Sequence, residues 1–117
     1  MKVFRYVDVE AEGVEDGASG VTVRWLIDKR VGAENFAMRL FEIEPGGYTP
    51  HHSHPWEHEV FILDGKGIVI GEEGEKPIEG GYVVFIPPNE RHQFKNNSDG
   101  KLRLLCLIPY KRSRSEE

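Results

Sequence analysis

An all-β domain, closed into a barrel or packed as a two-sheet jelly roll, is what this 117-residue sequence predicts. Three observations carry that prediction. No stretch repeats its apolar residues at the spacing of a long amphipathic helix. Short β-rich runs recur instead. Clusters of Gly, Pro, Asn and Asp punctuate them.

Taken in order, the first strand is expected at Val3–Val9. The acidic, glycine-rich stretch from Ala11 to Gly20 then reads as a mobile loop. Strands follow at Val21–Asp28 and Phe36–Ile43, the latter ending in the turn Glu44-Pro45-Gly46-Gly47. Thr49–His54 and His58–Leu63 flank a short loop, Pro55-Trp56-Glu57, expected at the barrel mouth. Asp64-Gly65-Lys66-Gly67 turns the chain into Gly67–Ile70, and Glu73-Gly74-Glu75 turns it again. Tyr82–Ile86 stops at Pro87-Pro88-Asn89, and His92–Asn96 and Leu102–Pro109 complete the set. The tail Lys111-Arg112-Ser113-Arg114, followed by Glu116-Glu117, reads as a solvated, disordered end over 111–117.

Composition narrows the function classes. With 38% hydrophobic and 30% charged residues, the chain reads as one soluble globular domain spanning 1–117. No apolar run approaches the roughly 20 residues that span a bilayer, so no membrane partner is expected. The start, Met1-Lys2-Val3-Phe4-Arg5-Tyr6, lacks the apolar core of a signal peptide. A single cysteine, Cys106, excludes an intrachain disulfide and suits a cytoplasmic setting. A net charge of -5 argues against nucleic-acid binding, which draws on a basic surface.

Four of the five histidines have the spacing of a metal site. His52 and His54, spaced H-x-H, share one face of an extended strand. His58 opens the next run and His92 comes from elsewhere. Parity supports a common interior. If His58 points inward, so do Val60 and Ile62, while Glu59 points out. An inward His92 brings Phe94 in, and an outward Arg103 places Leu104, Cys106 and Ile108 inside. His51 has the opposite parity and belongs on the surface.

These residues fall in two ordered motifs. Gly46-x5-His52-x-His54-x3-His58-x6-Gly65 resembles the first cupin motif, G-x5-H-x-H-x3-4-E-x6-G, with His58 where the glutamate usually stands. Glu59 would fit the longer spacing. Gly81-x5-Pro87-x-Asn89-x2-His92-x3-Asn96 resembles the second, G-x5-P-x-G-x2-H-x3-N, with Asn89 in place of its second glycine. The chain is thus similar to the small single-domain cupins with four histidine ligands. That resemblance implies the cupin double-stranded β-helix and the ligand set His52, His54, His58 and His92. It also implies manganese, with iron as the alternative, since imidazole donors alone suit several divalent metals.

Four neutral imidazoles leave a divalent ion its full charge, which favours an anionic ligand and acidifies bound water. Four nitrogens also leave up to two positions for a bidentate substrate, or for substrate and dioxygen. The expected lining of Thr49, Val60, Ile62, Phe94, Leu104 and Ile108 is largely apolar and favours a small hydrophobic or aromatic substrate. Arg39, on the face of Phe41 and Ile43, is a candidate for orienting an anionic group; a structural ion pair or a surface position is its alternative. Cys106 is expected inward, as a small buried hydrophobe or as an oxidation-sensitive thiol. Trp25 is expected in the core or an interface.

No catalytic residue is assigned. With the motif glutamate absent, no carboxylate is evidently placed for acid/base chemistry. The reading is a dioxygenase-like metal-dependent oxidoreductase. A non-catalytic small-molecule binder and a metal-assisted isomerase or decarboxylase are the alternatives. Leu105 and Leu107, apolar on the outward face of the last strand, suggest a homodimer.

Overall fold

The computed structural model describes residues 1–110, so the expectation for 111–117 lies outside the described residues. Among the described residues nine strands form one curled sheet: β1 Glu12–Val14, β2 Ser19–Ile27, β3 Phe36–Tyr48, β4 His58–Asp64, β5 Lys66–Gly71, β6 Gly74–Glu79, β7 Val83–Ile86, β8 Gln93–Lys95 and β9 Leu102–Pro109. The main path runs β6-β5-β8-β3-β9-β4-β7, with β2 on the flank of β3 and β1 on β2. This is the jelly-roll barrel that the strand pattern predicts. Among the described residues no helix is long and apolar enough to cross a membrane.

Alternation builds the core. Val21, Ile43, Val60, Ile62, Val69, Ile78, Ile86, Phe94, Leu102, Leu104 and Cys106 pack together from strands all around the barrel. Their inward positions follow the period-two rule. Asn96 is also buried; its side-chain amide donates to the carbonyls of Ile43 and Gly100, both at 2.8 Å.

Four expectations are corrected. Val3–Val9 is not a strand: it holds one 3₁₀ turn at Tyr6–Asp8. The carbonyls a strand would offer to a ladder are taken by Arg24, whose Nη1 reaches Tyr6, Val7 and Val9 at 3.4, 3.5 and 2.7 Å. The stretch Ala11–Gly20 is not simply a loop, because β1 pairs antiparallel with β2, Val14 opposite Val21. Glu44–Gly47 does not end its strand. β3 continues through it with a kink at Gly46 (φ 84°), leaving β9 after Ile43 and meeting β8 at Tyr48. Thr49–His54 makes no continuous ladder; only His52 bridges, to His92.

Besides β1, one more strand has no counterpart in the expectations. β6, Gly-Glu-Lys-Pro-Ile-Glu, buries only Ile78 and carries Pro77, as an edge strand may. On the outer face, Phe61, Val83 and Phe85 are 44, 74 and 60% exposed. With Met38, Leu105 and Leu107 they line a shallow apolar depression over β3, β9, β4 and β7.

Candidate metal centre

The main chain brings the histidines together before any ion is considered. His52 and His92 face each other across an antiparallel bridge, each amide donating to the other's carbonyl, at 3.1 and 2.9 Å. His54 follows two residues later on the same segment, and its carbonyl accepts from the Asn89 amide at 2.6 Å. Asn89 holds φ 72°, the left-handed conformation for which the motif usually supplies glycine. His58 is the first residue of β4, paired with Ile86.

The four rings form one cluster, with centroids 4.2 Å apart for His52–His54, 4.5 Å for His54–His58, and 5.0 and 5.1 Å from His92 to His52 and His58. Nitrogens of His52, His54 and His92 all lie within 4.8 Å of one another. His58 stands beside this trio rather than within it. His51 is exposed, as its parity requires, and so are Glu57 and Glu59.

The ring states suit ligation. Burial, joined by the charges of His92 and Arg39, lowers the His52 pKa to about 4. Burial and then Arg39 lower that of His58 to about 3. His92 is lowered too, again chiefly by burial. All three are therefore neutral near pH 7, the form that binds metals. His92 Nδ1 donates to the Glu90 carbonyl at 2.9 Å, which leaves the Nε2 lone pair available. His58 Nδ1 lies 3.7 Å from Cys106 Sγ, while its Nε2 is buried without a hydrogen-bond partner. A buried ring nitrogen left unpaired costs about 1–3 kcal/mol, which a bound ion would offset. Donor type, neutrality and the orphaned nitrogen fit a divalent metal.

A cavity of about 230 Å³ opens beside the cluster. Of the residues expected to line it, Arg39, Thr49, Phe94, Leu104 and Cys106 do so. Val60, Ile62 and Ile108 are not on its wall: the first two belong to the core, and Ile108 packs against that core. The wall instead includes Val14, Val23, Trp25, Phe41 and Pro50. The alternation of Val23 and Trp25 along β2 was the readable signal for two of these; Val14 came from the unexpected hairpin. No Asp or Glu lines the cavity among the described residues.

Arg39 lies inside this wall. Its guanidinium sits 5.3 Å from the Trp25 ring centre and 4.9 Å from that of Phe41. Nη2 donates to Cys106 Sγ at 2.9 Å, and Nε finds no acceptor. Burial pushes the Cys106 thiol up, opposed by the Arg39 charge.

Comparison with known proteins agrees with this architecture. The family model for the cupin domain matches residues 39–108. The polyketide cyclase RemF from Streptomyces resistomycificus superposes with a TM-score of 0.89 at 37% identity, covering 95% of this chain and 80% of that one. The 1-methylthio-D-xylulose 5-phosphate methylsulfurylase of Rhodospirillum rubrum is 30% identical over 79 residues, 68% of this chain and 51% of its own. The polyketide synthase CurC of Streptomyces cyaneus is 29% identical over 103 residues, 86% of this chain and 66% of its own. The chain thus spans about half to two thirds of the length of these two curated relatives. From strand order to motif residues, the chain belongs to the cupin family.

Proposed function

We propose that this cupin domain holds a divalent metal on His52, His54, His58 and His92 and transforms a small, largely apolar carbonyl compound bound beside it. The observation that carries this reading is the cavity itself, where four imidazoles meet apolar walls and no carboxylate. Bound there, the ion supplies Lewis acidity, keeping its full charge among neutral donors and polarising an oxygen ligand. The chain's own residues do the rest. Phe41, Phe94, Leu104 and Val23 exclude water from the substrate's apolar part. The main-chain bridge between His52 and His92 fixes two donors in advance.

Similarity to the polyketide cyclase RemF favours a ring-forming reaction, and similarity to it and to the polyketide synthase CurC favours an enolisable carbonyl chain as substrate. A 1,3-dicarbonyl is acidic enough, once polarised, to react without a strong protein base, which suits a wall without carboxylates. A second reading, a dioxygenase-like oxidoreductase, is favoured by the same neutral donor set, which leaves room for both substrate and dioxygen. Manganese is the metal we expect, with iron as the alternative. The apolar outer face of Phe61, Val83, Phe85, Leu105 and Leu107 supports a homodimer. The lone cysteine supports a reducing, cytoplasmic setting.

Metal content after purification without added metal tests the centre, and a substoichiometric trace would sink it. Turnover of aromatic and linear 1,3-diketones with and without dioxygen then separates the chemistries. Product formed anaerobically supports ring formation. Stoichiometric oxygen uptake supports the oxidoreductase. Metal-dependent binding without turnover leaves a carrier.

A further inference from the structure

Among the described residues, the partly buried cations are matched to anions or carbonyls, with one exception. Arg103 pairs with Asp64 at 3.0 Å and Glu42 at 3.6 Å. Arg24 takes three main-chain carbonyls. Arg39 has none of these. It takes part in no ion pair among the described residues, its one hydrogen bond goes to a thiol sulfur, and its Nε has no acceptor. Sulfur is a weak acceptor and leaves the guanidinium charge uncompensated.

The surroundings explain how that charge is tolerated and what it awaits. Trp25 and Phe41 hold the guanidinium against their rings, which fixes it without neutralising it. The charge stands at the cavity: Arg39 lines the same wall as His52, His54, His58 and His92. The wall offers no carboxylate, although the chain as a whole carries a net charge of -5. The cavity, at about 230 Å³, exceeds the roughly 150 Å³ that accommodates benzene, so a substituted ring fits. Its apolar residues, Val23, Phe41, Phe94 and Leu104, suit the faces of such a ring.

We infer that Arg39 is the cavity's anion-recognition residue, and that the ligand is a ring-bearing organic anion whose carboxylate or enolate oxygen accepts from the Arg39 guanidinium. This rests on the cavity being the substrate site, but not on a metal being bound there. The metal-side donors and Arg39 then hold opposite ends or adjacent oxygens of one molecule, and neutral rings of the same size bind less well.

The test is calorimetric titration with trans-cinnamate and with its uncharged isostere cinnamamide, on protein as purified and after chelation. Cinnamate should bind about tenfold or more tightly than the amide, in the range of one charged hydrogen bond. Arg39→Met should bring the two close to equal affinity by weakening the acid far more than the amide, and Arg39→Lys should restore part of the difference. Arg39→Gln replaces the methionine variant if that one does not fold, judged by its thermal transition. Equal binding of acid and amide by the unsubstituted protein overturns the inference, as does binding of neither. So does a preference that survives Arg39→Met. A preference abolished by chelation alone assigns the anion to the metal, overturning the inference while upholding the centre. A chain that holds no metal yet discriminates through Arg39 does the reverse, upholding the inference and removing the centre.

Discussion

Burial first, then the Arg39 charge and the stacked His54 ring at 4.5 Å, set the state of the His58 ring, whose Nδ1 edge faces Cys106. Together they leave a neutral imidazole with its Nε2 unpaired in the interior. If this nitrogen completes the ligand set, His58→Ala should weaken metal binding by at least about tenfold, the lower end of what losing even an outer partner of a ligand costs. Metal titration of the chelated protein checks this, and an unchanged affinity would leave the His52, His54 and His92 trio as the whole site. The depressed pKa values carry their own consequence. Below about pH 6.5 the unfolded chain takes protons on His52 and His58, whereas the folded chain resists until pH falls to about 4 and 3. The unfolded state binds more protons throughout that window, so stability is complete above it and falls as pH falls. Metal-free protein should lose up to about 1.4 kcal/mol per pH unit for a group as buried as His58. Urea midpoints between pH 7 and pH 5 measure the slope, and His58→Gln should flatten it. The cluster was legible because spacing and strand parity are local rules. Whether an inward side chain lines a cavity or fills the core is not local. Val60 and Trp25 both point inward, and only barrel depth separates the core residue from the one on the wall.

At the scale of elements, β3 is the piece that links sheet to site. It carries Arg39 and Phe41 into the cavity, then bends at Gly46–Gly47 to deliver Thr49 and the histidine segment beyond. A Cβ on Gly47 would lie 2.6 Å from the Ser19 carbonyl oxygen and 3.0 Å from that of Glu44. Both are main-chain atoms with little room to give. Gly47→Ala should therefore cost about 1–3 kcal/mol, as overpacking does elsewhere, and should move the histidine segment as well. Equilibrium unfolding in urea gives the first effect; metal affinity gives the second. The glycine pair was visible in the sequence, yet it reads as a chain reversal because Pro-Gly-Gly has the same composition in a turn and in a strand kink. Two further elements were hidden for different reasons. The Val3–Val9 run has strand composition, but Arg24 claims its carbonyls from a distance in sequence. β6 lacks strand composition because it is an edge with one buried side chain, and pairing with β5 alone specifies it.

Across the whole molecule, the apolar surface is unevenly distributed. Tyr6 and its neighbours lie against Arg24 and Arg103 on one part of the outer sheet face. The part over β4 and β7 remains open, with Phe61, Val83 and Phe85 in water. A second copy set against this face would bury three large side chains at once, at about 25 cal/mol for each Å² of apolar surface. Sedimentation should accordingly report a dimer at micromolar concentration, and Phe85→Glu should shift it toward monomer. A monomeric unsubstituted chain would remove the homodimer. The alternation that made Leu105 and Leu107 readable as outward residues did not reveal Phe61, Val83 and Phe85 as their neighbours, because strand order is not written in any one strand.

The bridge between His52 and His92 has a consequence for how the centre is filled. Two of its imidazoles hang from backbone amides and carbonyls that are already bonded to each other, so their spacing owes nothing to an ion. If the centre takes an ion, loading would be a docking event on a finished scaffold and not a step in folding. A metal-binding chain of this build should tolerate repeated stripping and reloading, and any ion it carried would reflect what the surroundings supply as much as what the scaffold prefers.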